Sequence, residues 1–143
     1  MTVKAILFRK GSDVVTIEPS ATLEAAITTL AKHRIGALVV LGADRRIIGI
    51  LSERDIVRTF AEFGRNALTK RLAEVMIREV ATCGEADTAL SIMERMTTSR
   101  MRHIPVVDRD RLVGIVSIGD IVKHRLWVME QESAALRDYI QSA

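Results

Sequence analysis

Apolar positions along this chain switch between the period of a strand and the period of a helix, and the switches follow a fixed order. The β-branched run Val14-Val15-Thr16-Ile17 predicts a strand. Beyond Pro19, residues Leu23, Ala26, Ile27, Leu30 and Ala31 recur at i, i+3, i+4, i+7 and i+8, the spacing of a helix that buries one stripe. Ala37-Leu38-Val39-Val40-Leu41 and Ile47-Ile48-Gly49-Ile50-Leu51 predict two further strands around the turn-like Gly42-Ala43-Asp44-Arg45. A second helix is expected from about Glu53 to Phe63, with Gly64 placed to end it. The unit reads β-α-β-β-α.

The same order then returns. Val80-Ala81-Thr82 predicts a strand, and a helix after Thr88 carries Ile92, Met93 and Met96. Strands follow at Ile104-Pro105-Val106-Val107 and Leu112-Val113-Gly114-Ile115-Val116, with a helix from Asp120. Thr16 and Thr82, Thr22 and Thr88, Arg34 and Arg100, and Val40 and Val106 are each 66 residues apart. Gly49 and Gly114, Ser52 and Ser117, Asp55 and Asp120, and Ile56 and Ile121 are each 65 apart, so one deletion in the strand–strand turn accounts for the change. Neither half of ~60 residues buries enough surface to stand well alone. The expected fold class is therefore α/β (α+β), with tandem β-α-β-β-α repeats packed about a pseudo-two-fold axis.

The expected organisation is an N-terminal flanking segment (1–13), a first repeat (14–63), a helical linker (64–79), a second repeat (80–123) and a C-terminal helical extension (124–143). Leu68, Leu72, Val75 and Met76 sit at helical spacing in the linker. No Gly or Pro follows Asp120, so a helix of ~30 Å is expected there. Its apolar residues Leu126, Met129, Leu136, Tyr139 and Ile140 lie beyond the repeats and call for another surface, and a homodimer supplies one economically.

Composition narrows the class without choosing within it. Of 143 residues 48% are apolar and 27% charged, close to soluble globular averages and against disorder. The 21 basic and 18 acidic residues give a net charge of +3, which suits a small anion as readily as nucleic acid. The single cysteine, Cys83, excludes an intrachain disulfide and fits a reducing compartment. The apolar start is broken by Lys4 and ended by Arg9 and Lys10, too soon for a signal peptide, and no membrane-spanning window follows. A cytoplasmic protein away from the membrane is expected.

Each half closes with Gly-apolar-apolar-Ser-x-x-Asp-Ile: Gly49-Ile50-Leu51-Ser52-Glu53-Arg54-Asp55-Ile56 and Gly114-Ile115-Val116-Ser117-Ile118-Gly119-Asp120-Ile121. With Arg100-Met101-Arg102-His103-Ile104-Pro105-Val106, these segments make a chain that resembles the CBS domain pair, the module named after cystathionine β-synthase, over about Val14 to Val122. Within that family it is similar to stand-alone bacterial signal-transduction proteins. The resemblance implies a non-catalytic regulatory module that binds an adenosine-containing ligand in clefts between the repeats: AMP, ADP, ATP or NAD, with S-adenosylmethionine ranked after them. It also implies that Asp55 and Asp120 take ribose hydroxyls while Ser52 and Ser117 help to place ribose or phosphate. The family's Gly-hydrophobic-x-Pro element, whose backbone edge reads the base, falls on Gly36-Ala37-Leu38-Val39, with Val for Pro, and on Arg102-His103-Ile104-Pro105, with Arg for Gly.

Elementary chemistry supports part of this assignment and offers competing uses. A carboxylate accepts two hydrogen bonds from vicinal hydroxyls in a forked geometry. Ser-x-x-Asp ahead of an apolar run is equally a helix capping box. Arg54, Arg100, Arg102 and His103 are candidates for phosphate, although strand alternation sets Arg102 and His103 on opposite faces. Thr16 and Thr82, at the ends of the first strands, are placed to meet the base, and Met93, Met96 and Met101 offer a soft wall beside it unless they fill the core. His33, His103 and His124 share no metal-ligand spacing with Cys83. Gly-Lys-Ser/Thr, Gly-x-Gly-x-x-Gly and Gly-x-Ser-x-Gly motifs are absent, and aromatics are only 3%, which disfavours NTPases, Rossmann enzymes, serine hydrolases and single-stranded RNA readers. The alternative reading is a constitutive dimeric scaffold with vestigial clefts, and either reading leaves room for a regulated partner protein.

Overall fold

The computed structural model describes residues 1–142; Ala143, the last position of the expected C-terminal extension, lies outside the described residues. The chain opens with helix α1 (Val3–Lys10) and continues through β1 (Thr16–Ile17), α2 (Leu23–His33), β2 (Ala37–Leu41), β3 (Ile47–Ser52) and α3 (Glu53–Phe63). A 3-10 stretch (Gly64–Thr69) and the single turn α4 (Leu72–Val75) lead to α5 (Ala89–Ser99), β4 (His103–Asp108), β5 (Arg111–Ser117) and α6 (Ile118–Ser142). In the first half β2 lies between parallel β1 and antiparallel β3; in the second, β4 pairs with antiparallel β5.

The repeat is visible in local stereochemistry. Thr22 caps α2 by accepting the Ala25 N–H at 3.2 Å, and Thr88 caps α5 by accepting the Ser91 N–H at 3.1 Å. Both helices end on a left-handed arginine, Arg34 at φ 54° and Arg100 at φ 55°. The strand register slips between Val40 and Leu41 and again between Val106 and Val107. The turns differ by the deletion: Arg109 and Asp110, both at positive φ, close the second hairpin in two residues, a type I′ geometry that matches strand twist.

One expectation is corrected. The Val80–Thr82 strand is absent; the counterpart of β1 is one parallel bridge at Cys83, whose N–H donates to Pro105 O at 3.0 Å and whose carbonyl accepts from Val107 N–H at 2.9 Å. The backbone just upstream is already engaged, because Ile77 exchanges two 3.0 Å hydrogen bonds with Ile50 of β3. The helical linker 64–79 comes in two pieces, the 3-10 stretch and α4. Lys70 and Met76 adopt extended backbone, which lets the Lys70 carbonyl accept the Leu23 N–H and drops Leu72 and Met76 into the first core.

The two cores are completed crosswise. Leu72 and Met76, which lead into the second repeat, pack with Leu23, Leu30, Leu38 and Leu51 of the first. Val3, Ile6 and Leu7, which lead into the first repeat, pack with Ile92, Ile104, Val116 and Ile121 of the second. Main-chain bonds follow the same exchange: Leu23 N–H to Lys70 O, Leu72 N–H to Ala21 O and Ala73 N–H to Pro19 O are matched by Ala89 N–H to Met1 O, Val3 N–H to Asp87 O and Lys4 N–H to Glu85 O. The segment 1–13 thus supplies part of the second core.

Glycine makes the close approach feasible. A Cβ on Gly114 would stand 2.8 and 2.9 Å from the two Leu7 methyls, and one on Gly49 would collide with Met76 Sδ and come within 3.2 Å of the Ile77 carbonyl. Gly114→Ala should therefore cost about 1–3 kcal/mol of stability through overpacking. Leu7→Ala, which empties the same contact, should cost about 2–5 kcal/mol. Urea unfolding of each variant against the parent checks both values.

Candidate functional site

The crossing of the two leading segments leaves a cavity of about 300 Å³ between the repeats. Its first wall is the start of β2 (Gly36, Ala37) and the β3–α3 junction (Ile50, Ser52, Glu53, Arg54, Asp55). Its floor is the crossing strand of chain at Ile77, Glu79, Val80 and Ala81, and its far wall is Arg100, Met101, Arg102 and His103 of the second repeat. The volume falls at the lower end of small-molecule sites.

Ser52 and Asp55 form a complete capping box. Asp55 Oδ2 accepts the Ser52 N–H at 2.8 Å and its hydroxyl at 2.9 Å, while Ser52 Oγ accepts the Asp55 N–H at 3.4 Å. Asp55 Oδ1 pairs with Arg58 Nη2 at 2.6 Å. Only 6% of Asp55 is exposed, so this charge is held by the pairing and the box rather than by water. The carboxylate keeps lone-pair capacity on Oδ1 for a further donor.

The cationic side of the cavity has fewer internal partners. Arg54 reaches the Arg100 carbonyl at 3.5 Å, linking α3 to the left-handed end of α5. Among the described residues neither Arg100 nor Arg102 enters an ion pair. Arg102 and His103 both line the cavity, which corrects the expectation that they face apart: Arg102 precedes β4, so strand alternation does not reach it. Gly36 lets the His103 ring pack closely on this wall, since a Cβ there would lie 3.2 Å from His103 Cε1.

Other sequence candidates stand elsewhere. Ile104 and Pro105 are buried in the second repeat, Ile104 in its hydrophobic core, and neither lines the cavity. Thr16 pairs with Val39 in β1, and the Thr82 carbonyl accepts from Arg95 Nη2 at 2.8 Å; both side chains lie off the cavity lining. Ser117 and Asp120 repeat the capping box with bonds of 2.8, 2.9 and 3.2 Å, but Asp120 opens on a separate recess of about 290 Å³ between α1 and α6, beside Arg9, Lys10, Lys123 and His124. Sequence reasoning misses Ile50 and Glu53, which lie inside the first motif, and Ile77, Glu79, Val80 and Ala81. The last four stand outside the motifs, and only the pairing of Ile77 with Ile50 brings them to the site.

Several groups titrate away from their ordinary ranges. Burial would raise the Asp120 carboxyl, but the Lys10 ammonium at 2.6 Å and the Ser117 donors outweigh it and hold Asp120 below the usual carboxylate range. Burial pushes the Cys83 thiol up to about 11, helped by Asp87, so it is a structural thiol rather than a nucleophile. Burial, then the nearby Lys10, lowers His103; burial, then Arg9 and the N-terminal ammonium, lowers His124. His124 is only 4% exposed and its ring nitrogens bond no described protein group.

The two histidines set the sign of a pH effect. Near pH 6.5 the unfolded chain binds protons that the folded chain resists, so stability is full above that pH and declines as pH falls through it toward the folded values. Denaturant unfolding at pH 7.5 and 5.5 should show the loss, and His124→Leu should flatten the slope.

Comparison with known proteins agrees with this architecture. The CBS domain family model matches residues 3–62 and 72–126. A CBS-domain containing protein from Agrobacterium tumefaciens superposes with a TM-score of 0.85 at 44% identity, covering 87% of this chain and 99% of that one. The CBS domain pair of protein MJ0100, solved in complex with 5-methylthioadenosine and S-adenosyl-L-methionine, has a TM-score of 0.77 at 29% identity, covering 86% of this chain and 98% of that one. The mitochondrial CBS domain-containing protein CBSX3 of Arabidopsis thaliana is 34% identical over 124 residues; the match takes in 84% of this chain and spans 60% of that protein's length. Two family matches bounded by the two exchanged leaders, on a fold shared with stand-alone bacterial relatives, place the chain in the CBS domain family as a tandem pair of CBS repeats.

Proposed function

We propose that this CBS pair is a non-catalytic regulatory module whose inter-repeat cavity binds an adenosine-containing ligand carrying phosphate. The observation that carries the reading is the pairing, in one cavity of about 300 Å³, of a buried carboxylate with two arginines free of ion pairs. Asp55 suits the cis-diol of a ribose, and Arg100, Arg102 and His103 suit the phosphate across the cleft. The adenosine ligands named for the MJ0100 pair support the nucleoside half of this assignment. The three arginines at the rim favour AMP, ADP, ATP or NAD over the cationic S-adenosylmethionine. Ser52, the hydroxyl inside the cavity, both donates and accepts within its capping box, an arrangement that suits a structural hydroxyl better than a nucleophile.

The reading extends to a homodimer. Val57 and Val122, 65 residues apart on the matching helices α3 and α6, are 69% and 51% exposed, and Leu126 and Met129 continue the apolar face. Burying these faces against a second copy removes a patch that a soluble monomer seldom displays. Val122→Asp combined with Leu126→Asp should convert a dimer into a monomer in sedimentation velocity; a parent that sediments as a monomer refutes the dimer. The exposed face of α6 also favours the second reading, a scaffold that recruits a partner without ligand.

Calorimetric titration with AMP, ATP, NAD and S-adenosylmethionine separates the two. Binding of a phosphate-bearing probe supports the sensor, and no binding of any probe supports the scaffold. Asp55→Asn, which keeps an acceptor for the cap, should weaken binding by about 10–100-fold, the worth of a charge-assisted hydrogen bond. Arg102→Ala should weaken AMP while sparing adenosine. Bound phosphate beside His103 should also raise its depressed pKa, which NMR titration of the imidazole with and without AMP would reveal.

A further inference from the structure

We propose that Lys10 occupies the second ribose-type carboxylate, Asp120, so that an adenosine-containing ligand enters the first cleft alone and each chain carries one ligand. The inference rests on the reading of the first cleft as an adenosine site and adds its stoichiometry and the residue that sets it.

The exchanged leaders define the correspondence. Lys70, Leu72 and Ala73 bond the first repeat as Met1, Val3 and Lys4 bond the second, an offset of 69 that carries Ile77 to Phe8 and Glu79 to Lys10. In the first half the leader leaves its helical turn at Met76, and Ile77 then pairs with Ile50 through main-chain bonds, with Glu79 lining the cavity. In the second half α1 stays helical through Lys10, so the leader offers no main-chain bond to Ile115, the counterpart of Ile50, which pairs only within its own sheet. The Lys10 ammonium takes that place, donating to the Ile115 carbonyl and to Asp120 Oδ2, each at 2.6 Å.

The same carboxylate is thus committed differently in the two halves. Asp55 is paired by Arg58 from its own helix, on Oδ1, and still faces the inter-repeat cavity. Asp120 Oδ2 accepts three donors, the Ser117 N–H, the Ser117 hydroxyl and Lys10, while Oδ1 has no partner among the described residues. A ribose arriving at Asp120 meets an ammonium already bonded to the carboxylate and to the strand edge at the Ile115 carbonyl. At the matching sequence position the first leader carries Glu79, which lines the cavity and offers Asp55 no cation.

The test is the stoichiometry of AMP and ATP binding, by equilibrium dialysis on the full chain, for the parent, Lys10→Met and the double variant Lys10→Met with Asp120→Asn. Expected are one site per chain in the parent, two in Lys10→Met, and one again in the double variant. Two sites in the parent, or one site in Lys10→Met, overturns the proposal while leaving the adenosine reading intact. No binding by the parent or by Lys10→Met overturns the adenosine reading and this proposal together. A site that appears only in Lys10→Met, with none in the parent, refutes occupancy of the first cleft and with it the proposal. Carbon NMR of the Asp120 carboxyl supplies a ligand-free check: its titration must move up toward the ordinary carboxylate range in Lys10→Met, and an unmoved titration shows that the contact is not held in solution.

Discussion

The crosswise exchange of the two leading segments is the constraint on which the rest of the structure depends. Each repeat has a sheet face that its own residues do not cover, and the residues that cover it belong to the leader of the other repeat. Because each leader is also the covalent entry to its own repeat, neither half is complete without the other. Close contact demands that the strand beneath carry no side chain at one point, and Gly49 under Met76 and Gly114 under Leu7 meet that demand at matching positions. The cavity follows from the same crossing, since the chain leaving α4 runs along β3 and becomes its floor.

What was legible in the sequence is what local physics writes there. The pairs separated by 66 and 65 residues fall on helix caps (Thr22, Thr88), left-handed helix ends (Arg34, Arg100), the strand slip (Val40, Val106), the contact glycines and the capping boxes. Each is fixed by its own few neighbours, so identity persists between the copies. The exchanged leaders share only a pattern: Val3, Ile6 and Leu7 stand against Leu72, Val75 and Met76, with no identical residue between Thr2–Leu7 and Arg71–Met76. Their role is set by the partner repeat, which no local pattern encodes, and for that reason 1–13 reads as a flank and 64–79 as a linker.

The site shows the same division. Gly36, Ser52, Arg54, Asp55, Met101, Arg102 and His103 were findable because a repeat or a motif marks them, and the structure brings them to one cavity. Ile104 and Pro105 belong to the same motif but are buried away from the cavity lining, so motif membership and access diverge within two residues. Glu79, Val80 and Ala81 reach the cavity through a long-range backbone pairing alone.

Two nearly identical capping boxes therefore serve in unequal electrostatic settings. Asp55 is paired on its helix side by Arg58, and Asp120 is paired across the fold by Lys10. His103 stands where both settings meet: its ring packs against Gly36 in the first cleft, while its proton affinity responds to Lys10 and Asp120 as well as to Glu53. An anion arriving at the first cleft would favour the charged imidazole, and that charge would in turn act on the Lys10–Asp120 pair. Since a ligand biases a conformation only through unequal affinity for its alternatives, a ligand touching both repeats reads their spacing, and the spacing is set by the leaders. Lys10 ends one of those leaders, so the contact between α1 and α6 is the place where occupancy of the first cleft would be felt by the rest of the chain.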